Sequence, residues 1–329
     1  MTDRPEASPG EKRIERSHLP RIEFRKSQRR DATFYLAAFL AASLSWLVRF
    51  IPDAFEDWVA RRVGDLSYLL SKSWRANVES NLAHVLADER DSARVRRTAR
   101  SIFQTNALNV ATMLRSPHQS PRELLSGVHV THGDWTILED ALAKGSGAIV
   151  LTAHLGSFDT MGSAISARGY PIAALTAKTT NRFTFEFISF LRAAHHVRLI
   201  EASSSGVREA IEWVRAGNVL CLLSDRDFFV NGVSVEFFDE QTTLPVGAVR
   251  IARETGAVVV PMFTLRHGRQ HALMIEQPFT VERTSDRGDD VRIGMQRAIG
   301  AIEGAIEIAP EQWVMFQRVW PEDKPGPTE

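Results

Sequence analysis

The chain has 329 residues, 44% hydrophobic and 24% charged, which is enough apolar material for a sizeable core and excludes wholesale disorder. Forty Lys+Arg balance forty Asp+Glu, so a uniformly basic nucleic-acid binder and an acidic solvating protein are both excluded. The one cysteine, Cys221, can make neither an internal disulfide nor a thiolate zinc site, as suits a reducing compartment or a membrane face open to one.

The zero charge is unevenly spread. Residues 11–30 hold eight basic side chains (Lys12, Arg13, Arg16, Arg21, Arg25, Lys26, Arg29, Arg30) against Glu11, Glu15 and Glu23, and the first thirty residues carry +4 against −4 in the remainder. Residues 1–31 read as a basic, disordered tail. An uncharged run, ATFYLAAFLAASLSWLV, follows from Ala32 to Val48 and is closed by Arg49 and the helix-breaking Pro52. Residues 32–51 are therefore expected to form an apolar membrane-anchor helix. The run falls just short of the ~20 residues needed to span a bilayer, and as a helix it would be about 25 Å long. Phe34, Tyr35, Leu36, Phe39, Leu40, Leu44, Trp46 and Leu47 surround it and leave no wide polar face. A secretory signal peptide fits poorly, because the leader is long and no small-x-small cleavage pattern follows. A buried core helix is the bland alternative. The basic cluster, placed beside anionic lipid on the cytoplasmic side, favours anchoring, and shallow insertion and true spanning both stay open.

Residues 52–126 read as a helical region. Phe55, Val59, Val63 and Leu66 recur at helical spacing, and a further helix starts near Ser92 with Val95, Ile102, Phe103 and Leu108. From 127 to 320 strands and helices alternate. Strands are expected in VHVTHG after Gly127, over 148–153, 171–177, 197–200, 219–225 and 257–263, and in the stretch 272–281, with a hairpin-like segment at 233–238. Helices are expected over 135–144, from Ser157, and over 183–195, 207–216, 248–255 and 289–308. Such alternation predicts an α/β domain with a mainly parallel central sheet flanked by helices, and ligands on these sheets bind beyond the carboxyl ends of the strands. Residues 321–329 read as a tail.

The chemistry concentrates in AIVLTAHLGSFDTMGSA. His154 follows a buried strand, Gly156 supplies a turn, Ser157 suits a helix N-cap, and Asp159 falls in the first helical turn. An Asp159 carboxylate accepting one ring N–H would leave the other ring nitrogen of His154 free to act as a general base. The bland reading is a capping or packing histidine, since a lone H-x4-D has little specificity.

Further motifs make a resemblance. Arg75 with Asn81-Leu82, His154 with Asp159, the triplet Asp225-Arg226-Asp227, the segment Gly232 to Phe238, Val259-Val260-Pro261 and Pro310 to Trp313 stand in the order seen in the late lipid A acyltransferases and the phosphatidylinositol mannoside acyltransferases. The resemblance covers about residues 32–320. Asp159 in place of glutamate, and Arg226 in place of glutamine, resemble the mannoside branch. His196 stands where the family usually has a glycine four residues after the arginine equivalent to Arg192.

The resemblance implies transfer of a fatty acyl group from a thioester, acyl-CoA or acyl carrier protein, to a hydroxyl of a membrane glycolipid at the cytoplasmic face of the bacterial plasma membrane. His154 would be the base, oriented by Asp159. Backbone N–H groups near Gly156-Ser157, or the Arg226 guanidinium, would serve the oxyanion. Lys178, Arg192, Asp225, Arg226, Asp227 and Glu236 are the substrate-binding candidates, with Glu236 assisting at the site or standing as an exposed strand residue. No cofactor, metal or nucleic acid is expected, and the partners are membrane lipids and the acyl donor. His195-His196 and His267/His271 read as solvated histidines, Cys221 as core, and the serine-hydrolase elbow G-x-S-x-G is absent. The competing functions are a non-catalytic membrane lipid-binding protein and an acyltransferase acting on a lysophospholipid.

Overall fold

The computed structural model describes residues 31–86, 93–176, 182–227 and 232–320. Five helices come first: α1 (Ala32–Val48), α2 (Asp53–Leu70), α3 (Lys72–Val85), α4 (Ala93–Arg115) and α5 (Pro121–Ser126). Ser71 separates α2 from α3, a break that the continuous helical periodicity conceals. Val78 and Leu82 of α3 pack with Val95, Ala99, Ile102 and Phe103 of α4 into a small core of their own. Among the described residues no helix is long and apolar enough to cross a membrane.

The α/β portion runs β1 (Val128–His132), α6 (Thr136–Ala143), β2 (Ala148–Thr152), α7 (Phe158–Ala167), β3 (Ile172–Thr176), α8 (Arg182–Ala193), β4 (Arg198–Glu201), α9 (Ser204–Arg215), β5 (Val219–Leu223), β6 (Val233–Phe237), β7 (Glu240–Leu244), α10 (Gly247–Thr255), β8 (Val258–His267), β9 (Gln270–Ile275) and α11 (Arg287–Ile308). Seven strands form one sheet in the order β1-β9-β8-β2-β5-β3-β4. Every neighbouring pair is parallel except the β8–β9 hairpin, so the central strands have the parallel arrangement expected.

The continuous apolar run of β2 is buried at all five positions because both sheet faces are covered. Ile149 and Leu151 face the layer of α9, α10 and α11, whereas Ala148 and Val150 face α6 and α7. Strand alternation thus splits one hydrophobic run between two cores. At roughly 25 cal/mol per Å² of apolar surface removed from water, these two layers dominate the stabilisation of the fold.

Two expectations change. The stretch 272–281 is a strand only to Ile275, after which Phe279 returns to bridge Val259. The segment at 233–238 is β6, paired antiparallel with the polar β7 (EQTTL) in a ribbon outside the main sheet. Phe238 and Asp239 turn that ribbon with φ of 51° and 59°, the left-handed pair that a two-residue hairpin loop demands. Neither is the glycine or asparagine that would have announced it.

Candidate active site

Strands β2 and β5 are parallel neighbours in a register that sets Thr152 against Leu223. His154 and Asp225 each lie two residues past that last pair, so both leave the sheet at the same level of its carboxyl edge. The His154 Nδ1 lies 2.8 Å from Asp225 Oδ1, and the His154 backbone N–H donates to Asp225 Oδ2 at 2.8 Å. The indole N–H of Trp313 donates to the same Oδ2 at 2.9 Å. Asp225 is fully buried, and burial pushes its pKa upward, but the adjacent His154 and the three donors outweigh that and hold the carboxyl below its usual range. An ionised carboxylate only accepts, so the proton of the neutral ring belongs on Nδ1, and Nε2 keeps its lone pair. The His154 side chain is 27% exposed, and its ring meets the edge of Phe158 at 5.3 Å between centroids.

The loop carrying His154 is pinned from three sides. Gly156 N–H donates to the Gln312 carbonyl at 2.9 Å, Val314 N–H donates to the His154 carbonyl at 2.7 Å, and Ser157 N–H donates to the Thr264 carbonyl at 3.0 Å. From α4, the Asn109 side-chain amide donates to the Gly156 carbonyl at 2.6 Å. Gly156 has φ of 53°, and a Cβ there would collide with the Thr264 carbonyl oxygen, so glycine is required twice over. Gln312 also clamps both backbone groups of Arg266. The Pro310–Trp313 motif is therefore the far wall of the site: its backbone holds the loop, and its tryptophan holds Asp225.

The expected His154–Asp159 contact does not form. Asp159 instead accepts from Arg192 Nε at 2.7 Å, tying α7 to α8. The reason is the sheet register: Asp225 emerges level with His154, whereas Asp159 lies a turn away on a helix. Asp225, read from sequence as a substrate-binding residue, stands beside His154 Nδ1 where Asp159 was expected. Ser157 occupies the N-cap position of α7 without capping it; its hydroxyl turns to His271 Nδ1 at 2.6 Å. His271 is buried on β9, so the reading of a solvated histidine is corrected. Burial drives its pKa down to about 4, with Arg266 adding to the effect. His195 is also brought down to about 4, first by burial and then by His196, with Asp159 opposing.

The remaining candidates are dispersed. Arg226 is half-buried next to Asp225, with a pKa lowered by burial and partly restored by Asp225. Asp227 accepts from Gly232 N–H at 2.8 Å. Glu236 is exposed on β6, and no hydrogen bond or ion pair among the described residues joins it to His154. Lys178 lies outside the described residues. The backbone N–H groups of Gly156 and Ser157, expected as oxyanion donors, are engaged by the carbonyls of Gln312 and Thr264. Cys221 is buried, and burial pushes its thiol up to about 12. Among the described residues no group of three His, Cys, Asp or Glu is placed to hold a metal ion.

Beside this pair lies a cavity of about 650 Å³. Its inner wall is the strand ends Thr152, Thr176 and Leu223, Asp159 and Arg192 give it a charged side, and Phe158, whose ring meets that of His154, lines it as well. Its outer wall reaches Arg49, Asp53 and Glu56 at the α1–α2 corner. Volume and mixed lining match a pocket for a small molecule or part of a larger one.

The family model "Bacterial lipid A biosynthesis acyltransferase" matches residues 23–322. A phosphatidylinositol mannoside acyltransferase of Mycobacterium tuberculosis (strain CDC 1551 / Oshkosh) is 27% identical over 212 residues, which is 63% of this chain and 65% of that protein, just under two thirds of its length. The lipid A biosynthesis myristoyltransferase of Escherichia coli (strain K12) is 26% identical over 310 residues, 92% of each chain. A lipid A biosynthesis acyltransferase of Haemophilus influenzae is 22% identical over 300 residues, 89% of this chain and 90% of its own.

Proposed function

Since the chain belongs to the bacterial lipid A biosynthesis acyltransferase family, we propose that it is an O-acyltransferase moving a fatty acyl group from a thioester, acyl-CoA or acyl carrier protein, to a hydroxyl of a glycolipid at a membrane surface. The observation that carries this reading is the His154–Asp225 pair at the carboxyl ends of adjacent strands. His154 Nε2 takes the proton of the acceptor hydroxyl as its oxygen attacks the thioester carbonyl. Asp225 stabilises the imidazolium that results, a general-base contribution of about 10²–10⁴-fold. The tetrahedral oxyanion faces the Arg226 guanidinium. Its collapse expels the thiolate, which recovers the proton from His154, and ester and thiol leave. Because the thiolate is already a good leaving group, no covalent enzyme intermediate is required, and positioning of the two substrates supplies much of the remainder. The Asp159–Arg192 pair borders the cavity that receives substrate. Both donors are cytoplasmic molecules, which supports a site of action at the cytoplasmic face of the plasma membrane.

The test is transfer of a labelled acyl group from each thioester to lipid acceptors, by wild type and His154→Ala. Transfer to glycolipid that vanishes in a folded His154→Ala protein supports the reading, and undiminished transfer by that variant overturns it. Transfer to lysophospholipid only would reassign the acceptor. Lipid binding with no transfer from either donor would make the chain a binding protein.

A further inference from the structure

Arg75, Asn81 and Leu82 lie on α3, outside the sheet, and each has its own partners. Arg75 Nη1 donates to the carbonyls of Tyr68 and Leu69 at 3.0 and 3.4 Å and so closes the end of α2. Leu82 is buried in the small helical core. Asn81 is 1% exposed and reaches the C-terminal segment. Its Nδ2 donates to the carbonyls of Met315 at 3.2 Å and Gln317 at 2.7 Å, and its Oδ1 accepts from Val319 N–H at 3.0 Å. Residues 314–320 belong to no helix or strand, so their buried backbone groups need partners from side chains. One short side chain with two N–H donors and a carbonyl acceptor satisfies three of them, and asparagine supplies that set.

Asn81 is the middle of a row. Asn77, Asn81 and His84 stand at helical spacing on one face of α3. Asn77 Nδ2 donates to the Phe316 carbonyl at 3.0 Å and its Oδ1 accepts from Arg318 Nε at 3.1 Å, while His84 stacks on Trp320 with 4.1 Å between ring centroids. From β7, the Thr242 hydroxyl donates to the Val319 carbonyl at 2.6 Å. The segment 313–320 is thus a strap bound along α3. Its other end is the site, where the Trp313 indole donates to Asp225 and Val314 N–H donates to the His154 carbonyl. Met315, the first residue that Asn81 holds, is next to Val314 in the chain. With planar peptides between them, a shift at Met315 is passed to Val314 and Trp313.

We propose that Asn81 is a positioning residue for acyl transfer: it anchors the strap and thereby holds the Trp313 indole on Asp225 and the His154 loop in place. Helix α3 supplies no group to the reacting atoms and acts on the His154–Asp225 pair through this strap. The effect on rate rests on the acyl-transfer reading; the anchoring of Trp313 does not.

The experiment compares the full chain with Asn81→Asp, which keeps an oxygen facing Val319 and sets a carboxylate against the carbonyls of Met315 and Gln317. The control for lost stability is Leu138→Ala, a fully buried truncation on α6, with each protein assayed at the same interval below its own melting temperature. Hydrogen exchange of the Trp313 indole N–H, assigned by its absence in Trp313→Phe, is expected to accelerate by about tenfold or more in Asn81→Asp, the equivalent of one hydrogen bond, and to stay near wild type in Leu138→Ala. The kcat for acyl transfer should fall by about tenfold with KM near wild type. Asn81→Asp should add little to the loss already caused by Trp313→Phe, because both act through one contact. If Asn81→Asp does not fold, Thr242→Val, which cuts the tie of the strap to β7, carries the same test with smaller changes in the same direction. Unchanged indole exchange in the folded variant, multiplying rate losses in the double variant, or an equal rate loss in Leu138→Ala overturns the inference. Faster indole exchange in Asn81→Asp, with no transfer by wild type from either thioester, upholds the anchoring and overturns the acyl-transfer reading alone.

Discussion

Asp225 keeps a charge in a fully buried position, and the consequences are measurable side chain by side chain. Replacing it with asparagine preserves shape but removes the acceptor that fixes the Nδ1–H tautomer and stabilises the imidazolium. Asp225→Asn should therefore lower kcat by about 10²–10⁴-fold with a much smaller change in KM, as for loss of general-base function. Trp313→Phe removes one of three donors to the carboxylate and should cost about 1–3 kcal/mol of stability as an unsatisfied buried group. Thermal melts and steady-state rates of the two variants distinguish orientation from folding. At this scale the sequence was only partly legible. His154 stands out by its place after a buried strand, but its partner is chosen by inter-strand register, which no local spacing encodes. Asp159 was closer in the chain, and Asp225 is closer in space. A signal was available: Asp225 also follows a buried apolar strand, in the same position relative to its sheet edge as His154.

Among the elements, the β2–α7 loop bears the most constraint. It is held by the Pro310–Trp313 segment, by β8 and by α4, and its glycine is sterically obligatory. Gly156→Ala should destabilise the protein by about 1–3 kcal/mol, the cost of a strained backbone, and should reduce activity further by displacing His154; denaturant unfolding with parallel rate measurements checks both. The alternation of strands and helices was readable because buried parallel strands announce themselves as uninterrupted apolar runs. The β6–β7 ribbon was half legible, since β7 is polar and its turn lacks glycine. Helix α2 shows the limit of periodicity most plainly. Phe55, Val59, Val63 and Leu66 define a helical face, but a period cannot say whether that face turns toward protein or away from it. The answer came from Glu56 and Asp65, whose partners Arg115 and Arg100 lie on α4 and Arg269 in the β8–β9 turn, far along the chain.

Over the whole molecule, two histidines built into the body tie stability to acidity. His195 and His271 stand near pKa 4 when folded, against 6.5 in an unperturbed side chain. Below pH 6.5 the unfolded chain binds protons that the folded chain refuses until about pH 4. Stability is therefore full above 6.5 and is lost as pH falls toward 4, by at most about 1.4 kcal/mol per pH unit for each histidine. Melting temperature should drop between pH 7 and pH 5, and His271→Gln should flatten that slope; an equally steep slope in the variant would contradict the assignment.

The pairing of His154 with Asp225 is tested most directly by single-turnover acyl transfer from a labelled thioester, comparing His154→Ala, Asp225→Asn and Asp159→Asn. A His154 base oriented by Asp225 requires transfer to vanish in the first and to fall by two orders of magnitude or more in the second. The third should lose less, because its carboxylate is bound to Arg192. A near wild-type rate in Asp225→Asn, with collapse of transfer in Asp159→Asn, would contradict the pairing and return Asp159 to the role that the sequence spacing first suggested.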